Sequence, residues 1–104
     1  MKFEFVYDPR IELNSPIIKI PVEEWTTEDL HQFYEEAQDV TAKIPAKILE
    51  FDKIYMQKYE ELQYRPEDLF DIMEELNELS GKICELNVLY LRLEGKFLYS
   101  GGQE

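Results

Sequence analysis

The strongest constraint in this chain is a spacing. Leu69, Ile72, Leu76, Leu79, Ile83, Leu86, Tyr90 and Leu93 recur at steps of 3-4-3-4-3-4-3. Only an α-helix gathers such residues into one stripe, and the 3-4 alternation is that of the a and d positions of a coiled coil. Pro66 suits the first helical position, Glu67 and Asp68 suit the positive end of the helix dipole, and Gly95 is a natural stop. A helix over 66–94 is about 43 Å long at 1.5 Å per residue. A compact domain of this size has a radius of gyration of about 13 Å. The spacing therefore predicts an elongated molecule whose chain turns back at Tyr64–Pro66.

A second periodic segment precedes that turn. Leu30, Phe33, Tyr34, Ala37, Val40, Ile44, Ile48, Phe51, Tyr55, Tyr59 and Leu62 follow one another mostly by three or four positions. Thr26 and Asp29 form a capping-box-like start. Pro45 interrupts the pattern, removing a hydrogen bond and crowding the preceding turn. No Gly, Asn or Ser stands beside it to make a reversal, so a kinked helix over 26–63 is expected rather than two helices joined by a tight turn. Residues 1–22 read as an extended arm or small hairpin. Phe3, Phe5 and Tyr7 alternate, Asp8-Pro9 and Asn14-Ser15-Pro16 signal turns, and Ile18, Ile20 and Val22 make a second run. Trp25 is placed to staple this arm to the first helix.

The fold class is thus mainly α: a long, kinked antiparallel helical hairpin with a short N-terminal β-like arm, in one domain over 1–104 with a tail at 95–104. The last helix is apolar beyond its seam, at Phe70, Met73, Val88, Leu89 and Leu91. One antiparallel partner covers only one stripe. A homodimer that completes a four-helix bundle is the expected closure, with Leu69, Ile72, Leu76, Leu79, Ile83, Leu86, Tyr90 and Leu93 as the self-association residues.

Charge narrows the function. The 104 residues hold 23 acids and 11 bases, a formal charge of −12. Direct nucleic-acid binding needs a basic footprint and is not expected, nor is attraction to anionic membranes. No apolar run reaches the ~20 residues of a membrane span, and the start MKFEFVYD does not read as a signal peptide. The lone Cys84, among Ile83, Leu86 and Leu89, reads as a small buried hydrophobe in a reducing, cytoplasmic setting.

The acids fall in two blocks. Residues 23–39 carry seven acids and no Lys or Arg; residues 60–78 carry eight acids and one Arg. The candidate partner-binding residues are Glu28, Asp29, Glu35, Glu36 and Asp39 in the first block. In the second they are Glu60, Glu61, Glu67, Asp68, Asp71, Glu74, Glu75 and Glu78.

Catalytic chemistry finds little footing. The one His and one Cys are far apart, no serine sits in a nucleophile elbow, and no glycine-rich phosphate loop is present. Glu28-x-x-His31 has the spacing of di-iron bundles but lies at a helix start. Glu74-Glu75-Leu-Asn-Glu78 resembles the EExxE half of the all-α nucleoside-triphosphate pyrophosphohydrolases of the MazG type. That resemblance implies acids on neighbouring helices holding Mg²⁺ over a triphosphate, and a second ExxD element further on. Glu85-Leu-Asn-Val88 stands near that place with Val instead of Asp. No catalytic, cofactor-binding or metal-ligating residue is assigned. The expected function is a non-catalytic acidic module for protein–protein interaction. It presents its acids to a partner that is basic or binds nucleic acid, as small accessory proteins of phages and mobile elements do. The alternatives are a DNA mimic that inhibits a nuclease or DNA-binding protein, and a Mg²⁺-dependent pyrophosphohydrolase.

Overall fold

The structure is a computed structural model and describes residues 1–94. The tail at 95–104, with the expected stop at Gly95, lies outside the described residues. Strands β1 (Phe3–Asp8) and β2 (Leu13–Ile18) form an antiparallel hairpin. Helices α1 (Thr27–Thr41), α2 (Ile44–Tyr64) and α3 (Leu69–Leu93) follow. Short 3-10 turns precede α1, at Val22–Glu24, and α3, at Pro66–Asp68. The long axis is 57 Å, the other two are 26 and 20 Å, and the radius of gyration is 17.4 Å. The molecule is therefore elongated, with α2 and α3 antiparallel along it.

Pro45 divides the first helical segment in two, where a single kinked helix was expected. Its missing N–H leaves the Thr41 carbonyl without its usual partner, and the last turn tightens: the Ala42 N–H still donates to the Gln38 carbonyl at 3.0 Å, but the Lys43 N–H donates to Val40, three residues back, at 2.9 Å. Both residues nevertheless keep right-handed helical angles, φ −64° and ψ −23° at Ala42 and φ −92° and ψ −14° at Lys43. The chain therefore bends without reversing. Pro45 then occupies the first turn of α2, where an N–H would have no helical acceptor.

The hairpin also differs from expectation. The second strand runs Leu13–Ile18, while Ile20 and Val22 lie beyond it. The turn decides the register. The Glu12 N–H donates to the Asp8 carbonyl at 2.7 Å, and Glu12 takes φ 61°, the left-handed conformation that turns the chain. Phe5 then pairs with Pro16. A proline is tolerated there because both strands of a two-stranded sheet are edges.

Such a hairpin is marginal alone and is held here by the helices. Phe3, Ile11 and Leu13 join Val22, Trp25, Phe33, Val40, Ile44, Phe51, Leu86, Leu89 and Leu93 in one buried cluster. Phe3, Phe33 and Trp25 lie with ring centroids 5.2 to 5.5 Å apart. Each such pair adds about 0.5–1.5 kcal/mol beyond the area it buries. Trp25 also donates its indole N–H to the Ile20 carbonyl at 2.8 Å, so it ties the arm to α1 as expected. The capping box forms as well. The Thr26 hydroxyl accepts from the Asp29 N–H, and the Asp29 carboxylate accepts from the Thr26 N–H.

Of the eight seam residues, Ile72, Leu76, Leu79, Leu86 and Leu93 are buried inside the single chain, and Ile83 is half-buried. Leu69 and Tyr90 are exposed, and Leu89 is buried in Tyr90's stead. The five buried seam residues serve the fold of one chain and present no surface to a second copy. Cys84, expected to be buried, is exposed. It points away from the seam and edges a recess of about 280 Å³ beneath the β1–β2 turn.

Candidate functional site

The two acidic blocks meet different surroundings. In the second, cations engage four acids. Lys58 Nζ lies 3.1 Å from Glu75 and 3.7 Å from Glu61, and Arg65 lies 2.6 Å from Asp68 and 3.3 Å from Glu61. Arg10, on the β1–β2 turn, bridges Glu78 and Glu85 on α3, and Arg92 donates to the Pro16 carbonyl at 3.2 Å. These contacts bind the hairpin to α3. Glu85 and Glu78 hold the Arg10 guanidinium above its usual pKa; Glu75 raises Lys58, and Asp68 raises Arg65. Glu60, Glu67, Asp71 and Glu74 are exposed and have no ion-pair partner among the described residues.

In the first block only Asp29 is engaged by a lysine or arginine. Lys2 Nζ lies 2.7 Å from it and, with the Thr26 N–H, lowers its carboxyl to about 2. Asp29 is thus part of the fold, holding β1 to the start of α1. Glu35 lies 3.7 Å from His31, one turn earlier on the exposed side of α1. Glu28, Glu36 and Asp39 are exposed without ion-pair partners among the described residues.

Glu36 and Asp39 gain a setting from the hairpin. They line a cleft of about 310 Å³ with Phe5, Tyr7, Glu12, Leu13, Asn14, Val40 and Lys43. The walls come from the β-hairpin and from α1 just before the bend. Glu12 is drawn toward Lys47 of α2, 2.9 Å away, which lowers its pKa. Aromatic faces beside unpaired carboxylates suit a lysine or arginine side chain, through charge and cation–π attraction together. Glu36 and Asp39 were legible as candidates from charge alone. Phe5 and Tyr7 announce a shared strand face by their alternation, but the presence of Glu12 and Lys43 in the lining depends on the turn and the bend.

Asp71, Glu74, Glu75 and Glu78 surround an open hollow on α3. Among the described residues no three His, Cys, Asp or Glu side chains come close enough together to hold a metal ion. Glu28 and His31 stay at the exposed start of α1, and Glu75 meets Lys58 rather than a second acidic helix. No helix among the described residues is long and apolar enough to cross a membrane. The chain matches no protein-family model, no curated protein and no solved structure.

Proposed function

We propose that this protein is a non-catalytic interaction module that works as a homodimer and docks a basic segment of a partner protein on α1. The observation that carries the docking is the cleft between the hairpin and α1, where Glu36 and Asp39 have no ion-pair partner among the described residues and stand beside Phe5 and Tyr7. A lysine- or arginine-rich segment entering it gains charge attraction and aromatic contact at once. If that partner is a nucleic-acid-binding protein, the module competes with nucleic acid for it.

The test uses a labelled lysine/arginine-rich peptide and two triple variants of equal charge. One is Glu35→Lys/Glu36→Lys/Asp39→Lys, with Glu36 and Asp39 in the cleft and Glu35 next to it on α1. The other is Glu60→Lys/Glu67→Lys/Glu74→Lys, among the unpaired acids of the second block. Binding is expected to weaken steeply with salt and to be lost with the first variant far more than with the second. Equal losses would mean attraction to net charge alone and would sink the assignment to the cleft.

A further inference from the structure

On α3 every charged side chain from Asp71 to Arg92 falls within roughly 100° of arc, at 100° per residue. Lys58 beside Glu75, and Lys82 over Phe51, show that this arc adjoins the charged flank of α2. The opposite flanks of both helices share the other broad side of the α2–α3 hairpin. There α3 exposes an uncharged stripe over its whole length, and α2 adds Leu49, Met56 and Tyr59, each more than half exposed. Asp52 lies among them, and Glu60 borders them about 20° beyond Leu49 around α2.

The stripe is close to palindromic in side-chain size. About a midpoint beside Ser80, Phe70 stands opposite Leu91, Met73 opposite Val88, and Asn77 opposite Cys84, all exposed. Large groups lie at both ends and small ones at the centre. We propose that two copies of this chain pair through this largely apolar side, with their α3 helices antiparallel about a two-fold axis beside Ser80. The pairing rests on the self-association proposed above and names its surface. Antiparallel helices match large ends to large ends and let the small centre approach closely. With −12 on each copy, this is also the side on which two copies bring the fewest acids together, since the exposed stripe of α3 carries none. Seven large apolar side chains exposed there, at roughly 100 Å² each, offer about 700 Å², close to the share of about 800 Å² that one partner gives to a stable interface.

The single native cysteine makes the test simple. In this pairing Cys84 faces Asn77 of the second copy, whereas two Cys84 residues stand about 10 Å apart along the axis, too far for a disulfide. Mild oxidation of Asn77→Cys is expected to give covalent dimers, and oxidation of the unaltered chain or of Asn77→Cys/Cys84→Ser is not. Light scattering of the unaltered chain should give twice 12.5 kDa, and Met56→Glu/Met73→Glu should give 12.5 kDa with unchanged helicity. A monomeric mass for the unaltered chain at about 0.5 mM, far above the micromolar range of ordinary specific association, would overturn self-association itself. A dimer that cross-links through Cys84 alone, fails to cross-link through Asn77→Cys, or survives the double Glu substitution would overturn this surface while leaving self-association standing. Neither result bears on peptide binding at the cleft.

Discussion

The two broad sides of the α2–α3 hairpin share one apolar seam and differ in almost everything else. One side carries the charges of α3, the ion pairs of Lys58 and Arg10, and the β-hairpin packed over its upper half. The other exposes Phe70, Met73, Met56 and Leu49, with Asp52 among them and Glu60 at their border. The difference shows that the charge of α3 gathers on one side of a folded rod, and that net charge alone describes neither side. The two ends differ as well. The end with α1 and the hairpin holds three layers and an aromatic cluster, while the end near the α2–α3 turn holds two helices with Ile72 and Leu76 buried between them.

Substitutions can break or sharpen this contrast. The largest expected loss is at Phe33, which is 0% exposed at the centre of the aromatic cluster. Phe33→Ala should cost about 3–5 kcal/mol in denaturant unfolding and release the hairpin. At the two-helix end, Leu76→Ala should cost roughly 2–3 kcal/mol, near the low end of the range, because a two-layer site collapses more readily around a cavity. A cost at Leu76 equal to that at Phe33 would erase the distinction between the ends. Thr26→Ala removes the cap that starts α1 and should cost about 1 kcal/mol.

Asp29 gives a smaller effect with a defined sign. Its carboxyl is lowered to about 2 by Lys2 and Thr26, against an ordinary value of 3.8. Its contribution to stability is therefore complete above about pH 4 and fades as the pH falls toward 2. In acid titrations of unfolding, the advantage of the unaltered chain over Asp29→Asn should shrink through that window. An advantage that holds constant to pH 2 would contradict the pairing with Lys2. Smallest of all, Arg10→Ala should quicken amide exchange in the β1–β2 turn at low salt and change little at high salt, as exposed ion pairs do.

Much of the fold could be read from spacing, and the residues show where spacing stopped sufficing. The seam of α3 is buried as the heptads predict from Ile72 to Leu86 apart from half-buried Ile83, then shifts, so that Leu89 is buried and Tyr90 is exposed. A straight helix drifts about 20° per heptad against a strict seven-residue repeat. Over the last turns its neighbours also become α1 and the hairpin. Cys84 is exposed, against expectation, because Ile83 and Leu86 beside it in sequence lie on another side of the helix. The strand register was hidden because it hangs on the left-handed turn at Glu12, a residue with no special preference for that conformation. At the candidate site, charge marked Glu36 and Asp39, but the cleft exists only because the hairpin folds against α1.

The central claim is that the two sides have separate work, one docking a basic segment and the other a second copy. Its most direct test is one light-scattering run on Glu35→Lys/Glu36→Lys/Asp39→Lys, made with the basic peptide present. The account predicts the mass of a peptide-free dimer, twice 12.5 kDa, where the unaltered dimer carries bound peptide. A monomeric mass, or a dimer that still binds the peptide as tightly as before, would contradict it.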